Sequence, residues 1–330
     1  MRILVTGSEG FIGSHLVEAL IKRGHFVRSF IKYNYQSSKG WLSHLKKGKN
    51  LDFVFGDIED YQSLKSATQN IDIIINLAAL ISIPYSYIAP RSYVNSNIIG
   101  TLNILEIAKE NQFKKIIITS TSEVYGSALY VPIDESHPLQ PQSPYSASKI
   151  AADNLAMSFY KSFNLPIIIS RPFNTFGPRQ STRAIIPTII SQILSGKKKI
   201  FLGDTYPTRD FNYIDDTVDG FVKIVESKKN LNGETINFGS GYEISIKNLF
   251  LLINSIIGSN SKLVIEKKRL RPKNSEVTQL LCDNTKARKL LSWGRYIGNN
   301  KTLTKNLEKT IEWFSNSNNL KHYNLNSYEV

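Results

Sequence analysis

Apolar residues in the first half of the chain fall in short continuous runs, at 2–6, 26–31, 51–55, 71–76, 115–120 and 166–170. The runs are rich in Ile, Val and Phe and do not alternate with polar residues, as strands buried on both faces of a sheet should not. Between them, 15–23, 61–69, 92–110 and 146–163 place apolar residues three and four apart, which predicts amphipathic helices. Strand and helix in alternation require parallel strands with right-handed crossovers. The expected fold class is α/β, built on a doubly wound parallel sheet.

After Arg171 the texture changes. Pro172, Gly177, Pro178 and Pro187 punctuate a loop-rich stretch, followed by a helical pattern at 187–194. Short apolar runs at 199–202 and 235–238 and helical patterns at 215–226 and 246–257 come next. Residues 1–170 are expected to form the first domain, to which the chain returns around 211–241. Residues 171–330 are expected to be mainly a smaller C-terminal domain. From about 315 the tail is polar and Asn-rich and is expected to fray.

Composition narrows the picture. A chain of 330 residues with 41% hydrophobic and 21% charged residues has the makings of a folded core. Its one cysteine, Cys282, excludes an internal disulfide framework, and the five histidines (His15, His25, His44, His137, His322) have no ligand spacing. No metal site is expected. The most apolar stretch, 71–83, is interrupted by Asp72 and Asn76 and is too short to span a membrane. The chain starts directly on a strand-like run with no basic leader, so the expected compartment is the cytoplasm. The net charge of +14 is spread over short groups such as Lys46-Lys47, Lys197-Lys198-Lys199 and Lys267-Lys268-Arg269. With no basic stripe interleaved with aromatics, this reads as a solvated surface and not as a nucleic-acid footprint. Attraction of an anionic small molecule stays open.

The first strand runs into Gly7-Ser8-Glu9-Gly10-Phe11-Ile12-Gly13, with a helix expected from Ser14. Gly7 suits a tight turn, Gly10 a close approach of backbone to pyrophosphate, and Gly13 helix packing on the strand. The helix N-terminus then offers amides to phosphate. The spacing is GxxGxxG, and its place between the first strand and first helix points to a Rossmann-type dinucleotide site. The usual acid at the end of the second strand is missing: the chain reads Ile31-Lys32-Tyr33-Asn34, with Arg28 nearby. NAD is the expected cofactor, with Lys32 at its ribose, and NADP stays open. Asp57-Ile58 after the third strand is placed for adenine, Asp57 being otherwise a helix N-cap. Leu77-Ala78-Ala79, small residues after the fourth strand, suit either cofactor approach or packing.

Tyr145 and Lys149 lie one helical turn apart on one face. A tyrosine of ordinary pKa, about 10, is a weak base at neutral pH, but a neighbouring ammonium favours phenolate. Tyr145 can then take a hydroxyl proton while hydride leaves the carbon.

These pieces, with Asn97 in Asn97-Ile98-Ile99-Gly100-Thr101, Thr121–Gly126, Arg171–Pro178 and Thr208-Arg209-Asp210-Phe211, resemble the extended short-chain dehydrogenase/reductase family from residue 1 to about 295. The resemblance implies a nicotinamide cofactor used as a transient oxidant of a nucleotide-linked sugar, a homodimer, and a cofactor site that includes Asn97, Tyr145 and Lys149. It implies catalytic roles for Thr121, Ser122, Glu123, Tyr145 and Lys149. Arg209 and Arg271 match positions that contact the substrate diphosphate, with Asn174 and Ser86 as further substrate contacts. For either arginine alone an ion pair is the plain alternative. Arg179 and Arg183 are expected to be solvated.

Within the family, simple 4-epimerases carry small residues where Glu123 stands. In 4,6-dehydratases a Thr–Asp–Glu triplet eliminates water, but here Ser122 replaces the aspartate. Thr-Ser-Glu is also the triplet of UDP-glucuronate decarboxylases. Three stretches resemble the N-acetylglucosamine nucleotide 4,6-dehydratases of the legionaminic acid pathway: residues 79–86, Asn34-Tyr35 with Gly40-Trp41-Leu42, and Arg271-Pro272-Lys273-Asn274-Ser275-Glu276-Val277. The expected reaction is 4,6-dehydration of UDP- or GDP-linked N-acetylglucosamine, with decarboxylation or 4-epimerisation as alternatives.

Overall fold

The structure, a computed structural model, describes residues 1–294, 298–320 and 323. Seven parallel strands form the main sheet: β1 (Arg2–Thr6), β2 (Phe26–Lys32), β3 (Leu51–Gly56), β4 (Ile73–Asn76), β5 (Lys115–Thr119), β6 (Ile167–Pro172) and β10 (Thr235–Phe238). Their order is β10-β6-β5-β4-β1-β2-β3, so the order reverses between β1 and β4. A second group joins β7 (Asn174–Phe176), β9 (Thr208–Tyr213), β11 (Glu243–Ser245) and β13 (Gln279–Leu280), while β8 (Lys199–Leu202) pairs with β12 (Lys262–Ile265).

The continuous apolar runs are explained by a core on each face of the main sheet. Ile3, Val5, Ile73, Ile75 and Ile117 point to one face. There they meet Leu16, Val17 and Leu20 of α1 (Phe11–Lys22). Leu4, Ile74, Ile116 and Ile118 point to the other, which also carries Leu64 of α2 (Tyr61–Ala67). Successive strand residues alternate between faces, and both faces are covered, so apolar residues fill most of each run, with Arg28 and Ser29 of β2 among the exceptions.

The remaining helices are α3 (Ile83–Ile88), α4 (Pro90–Tyr93), α5 (Gly100–Glu110), α6 (Pro144–Phe163), α7 (Ile185–Leu194), α8 (Ile214–Glu226), α9 (Ile246–Ile257), α10 (Thr285–Leu291), α11 (Asn300–Ser315) and α12 (Ser317–Leu320). Three departures from the expected elements have local causes. α1 starts at Phe11, not Ser14, because Gly10 takes the extended conformation that caps it. The single helix expected at 92–110 is interrupted by a π-helical turn over Val94–Ile99. The tail does not simply fray after 315, since α12 follows and the Tyr323 ring packs on Trp41, Trp313 and Phe314. His322 and tail positions 321 and 324–330 lie outside the described residues. Among the described residues no helix is long and apolar enough to cross a membrane.

Candidate active site

Ligands of open α/β sheets bind at the carboxyl ends of the strands where the order reverses, here between β1 and β4. The glycine turn lies there. Gly7 has φ +62°, and a Cβ on it would come 2.9 Å from the Ala78 backbone nitrogen. A Cβ on Gly13 would stand 2.2 Å from the Gly7 carbonyl oxygen, so helix and turn close on each other only through glycine. Around Gly10 the nearest atom to such a Cβ is the Gly7 oxygen at 3.3 Å. The protein therefore packs tightly at Gly7 and Gly13 and leaves the space over Gly10 more open. No side chain caps α1, so its first amides stay available to a phosphate. This cradle fits a dinucleotide pyrophosphate. Thr6 fixes its rim: its hydroxyl donates to Asn76 Oδ1 at 2.6 Å and accepts from the Leu77 and Ala78 amides. Those two amides are thereby used within the protein. The close backbone approach that small residues allow at Leu77-Ala78-Ala79 is seen here toward Gly7.

Further along the same edge, Asp60, not Asp57, caps α2 through the Gln62 and Ser63 amides. Asp57 instead meets the Lys32 ammonium at 3.3 Å. Ile58 is buried, and its carbonyl accepts from Asn103. Asn97, on the π-helical turn, has its amide fully engaged: Oδ1 accepts from the Leu80 amide, and Nδ2 donates to the Leu80 carbonyl and to Ser148 Oγ. Ser148 Oγ in turn donates to the Tyr145 carbonyl. From that turn Asn97 pins the loop after β4 to α6.

A reciprocal cap between Ser143 and Ser146, with Pro144 in the first turn, starts α6. Tyr145 follows at once, and Lys149 comes one turn later. β5 delivers the partner segment. Thr121 begins a 3-10 turn over Ser122–Tyr125, and its hydroxyl accepts the Glu123 amide at 3.2 Å. Tyr145, Lys149, Thr121, Ser122 and Glu123 are all buried. The Thr121 side chain lies beside the Tyr145 hydroxyl, and the Tyr145 ring stands edge-on to Tyr93. Burial pushes the Tyr145 phenol up, with the Thr121 side chain opposing. Burial pushes the Lys149 ammonium down to about 8, with Asp153 opposing. Lys149 donates to the Thr119 carbonyl at 2.6 Å. A cation is what favours the phenolate, so turnover is expected to fall as pH rises through about 8, where Lys149 loses its proton. A pH profile of kcat with no alkaline limb near there contradicts this role.

Behind these residues lies a network absent from the sequence reading. Asp153 Oδ2 accepts from Ser120 Oγ and from Arg171 Nε and Nη2, at 2.7, 3.1 and 3.0 Å. Arg171 also donates to the Tyr125 hydroxyl. Both charged partners are buried, so Asp153→Ala strands a guanidinium away from water. It is expected to cost about 3–5 kcal/mol of stability, read from urea unfolding.

A group of paired charges is built by β9 and the segment before β13, with Asn174 of β7 nearby as a candidate contact. Arg209 is buried and gives Nη2 to Glu276 Oε1 at 3.1 Å, while Arg271 Nη1 lies 3.6 Å from the same oxygen. Burial and the Arg271 charge push the Arg209 guanidinium down, while the Glu123 and Glu276 charges oppose. Arg209, Arg271 and Glu123 are thus brought together with Glu276, whose pairing across 67 residues is not visible in the sequence. Asn174 is half-buried and its Nδ2 has no partner. Ser86 is fully buried with its hydroxyl given to the Ile83 carbonyl. Arg179 is not solvated: it is ion-paired with Glu18 at 2.9 Å. Arg183 is exposed.

Residues 4–305 match the family model described as GDP-mannose 4,6 dehydratase. The chain is 32% identical over 320 residues to the dTDP-D-glucose 4,6-dehydratase of Homo sapiens, covering 95% of this chain and 89% of that one. Its structure is similar to that of UDP-glucuronic acid 4-epimerase from Bacillus cereus, solved with UDP-glucuronic acid and NAD. The TM-score is 0.86 at 33% identity, over 95% and 98% of the two chains. It is also similar to a dTDP-glucose 4,6-dehydratase from Bacillus anthracis in complex with NAD, with a TM-score of 0.84 at 28% identity over 98% and 99%. The chain belongs to the NAD-dependent epimerase/dehydratase family of extended short-chain dehydrogenases/reductases.

Proposed function

We propose that the protein is an NAD-dependent nucleotide-sugar 4,6-dehydratase that converts a UDP- or GDP-linked N-acetylglucosamine to its 4-keto-6-deoxy sugar. The observation that carries the dehydratase reading is Glu123, a buried carboxylate on the turn that also presents Thr121 to Tyr145. Epimerisation at C4 has no use for a further base there. The N-acetylglucosamine assignment rests on the sequence stretches at 79–86, around Asn34 and Trp41, and at 271–277.

In this reading residues 1–170, with the returning strand β10, hold the cofactor through Gly7, Gly10, Phe11, Ile12, Gly13, Asp57 and Ile58. Residues 171–330 mainly hold the sugar nucleotide. Bound NAD would accept the hydride from C4 and give it back at C6 after water has left, so the net reaction is not a redox change. Tyr145, supported by the Lys149 cation, takes the proton of the C4 hydroxyl, and Thr121 steadies the developing oxygen. The C4 ketone acidifies C5–H. Glu123 removes that proton and returns it to the C6 hydroxyl, which leaves as water, with Ser122 beside it as a relay. The proton held at Tyr145 balances the one that C5 regains. Arg209 and Arg271 face the diphosphate, for which bidentate guanidinium is suited. The enzyme acts as a cytoplasmic homodimer.

Incubation with UDP- and GDP-N-acetylglucosamine and with UDP-glucuronate, read by mass spectrometry, tests this. Loss of water from either N-acetylglucosamine nucleotide is expected. Loss of carbon dioxide from the glucuronate, or a change of configuration at C4 without loss of mass, assigns the scaffold to decarboxylation or epimerisation instead. The likeness to a UDP-glucuronic acid 4-epimerase makes the last arm necessary.

A further inference from the structure

The dinucleotide reading leaves one recognition element unassigned. A Rossmann site distinguishes NAD from NADP with an acid at the end of β2 that accepts the ribose hydroxyls. In this chain β2 ends in Lys32, followed by Tyr33 and Asn34. A carboxylate nevertheless reaches that place from another element. Glu9, inside the glycine turn, puts Oε1 3.0 Å from the Lys32 backbone amide, so its head lies against the end of β2. Its second oxygen, Oε2, is shielded from water and has no hydrogen-bond partner. The Glu9 backbone is fixed from the opposite side. Its carbonyl accepts from the Trp41 amide, and Gly40, at φ +52°, passes so close that a Cβ would stand 2.7 Å from that carbonyl.

The cations that leave NADP open in the sequence are engaged elsewhere. Lys32 faces Asp57 at 3.3 Å. Arg28 donates to the Ala67 and Gln69 carbonyls and lies 3.6 Å from Asp52. A further cation near the end of β2, Lys39, donates to the Leu45 carbonyl over the Phe53 ring. What remains at the end of β2 is a carboxylate with an unmet acceptor, a match for a diol and a mismatch for a phosphate dianion.

We propose that Glu9 takes the part of the missing β2 acid: it accepts the hydroxyls of the adenosine ribose and excludes a 2′-phosphate, which makes the site selective for NAD. The proposal rests on the reading of the glycine turn as a dinucleotide site, and it is independent of which sugar the enzyme acts on. Glu9→Gln keeps an acceptor for the Lys32 amide and replaces the other carboxylate oxygen and the charge with a neutral donor.

The test is titration of the full chain and of Glu9→Gln with NAD and NADP in the absence of sugar nucleotide, together with mass spectrometry of the dinucleotide that acid releases from the purified protein. The expected wild-type result is resident NAD and binding of NAD at least about tenfold tighter than NADP. In Glu9→Gln that ratio is expected to narrow by about tenfold. An unchanged ratio in the variant overturns the proposal. Wild-type protein that binds NADP as tightly as NAD, or that carries NADP, overturns it without any variant. A wild-type chain that binds neither refutes the dinucleotide reading itself, and the proposal falls with it.

Discussion

Under the proposed reaction, Tyr145→Phe is expected to lower kcat by about a thousandfold and to leave the protein folded. The ring is held by packing, edge-on to Tyr93 and in a cluster with Ile83, and phenylalanine keeps those contacts. Only the hydroxyl beside Thr121 is lost. Thr121 keeps its other task, capping the turn that carries Glu123. The chemistry has no substitute for the oxygen. Lys149 is committed to the Thr119 carbonyl, and Glu123 has no basis for acting at both C4 and C5. The measurement is turnover beside thermal unfolding. A midpoint close to wild type with turnover down about a thousandfold fits the role. Turnover within about tenfold of wild type removes Tyr145 from the chemistry.

The strands were legible because burial on both faces erases the polar half of the pattern. Ile3, Leu4 and Val5 face opposite cores in turn and yet are all apolar. The return of the chain to the main sheet at β10 was visible as a short apolar run, although its partner, β6, was not. The π-helical turn over Val94–Ile99 was invisible for a physical reason. Apolar spacing through 92–110 stays near the helical period, and the turn is held by Asn97 reaching Leu80 and Ser148, 17 and 51 residues away. In the tail a single aromatic, Tyr323, anchors on Trp313 and Trp41 within a run whose composition is polar.

The candidate site divides in the same way. Gly7, Gly13, Tyr145 and Lys149 are tied to each other by short spacings, so the one-dimensional text contains them. The groups that hold them are not. Asp153 was passed over because its partners, Ser120 and Arg171, are 33 and 18 residues away, and a carboxylate on a helix reads as a solvated face until its burial is seen. Arg28 and Lys32 leave a 2′-phosphate open on proximity alone, because their partners are not visible in the sequence. Arg179, expected in solvent, finds Glu18 across 161 residues. Charge signs are legible in a sequence, whereas the pairings that cancel them depend on the fold.

Glu123→Gln separates the two halves of the proposed reaction. The glutamine is isosteric, and the backbone amide of the residue still donates to Thr121, so the turn and the approach of Thr121 to Tyr145 persist. Proton transfer at C4 therefore continues, and adding substrate still changes the nicotinamide absorbance. An amide has no basicity to remove the C5 proton, so elimination is expected to fall by about a thousandfold or more. Two readouts follow it: mass spectrometry for loss of water, and deuterium uptake at C5 from heavy water. Both are expected to vanish together while NAD affinity is unchanged. Arg209 gives the variant a second signature. The Glu123 charge supports this buried guanidinium, which also meets Glu276, and removing it leaves the arginine pair less compensated. Binding of the substrate diphosphate is then expected to tighten as catalysis is lost, opposite to the loss of affinity from a damaged pocket. Unchanged elimination in Glu123→Gln would place the C5 base elsewhere, and with it the distinction between a dehydratase and an epimerase that Glu123 supports.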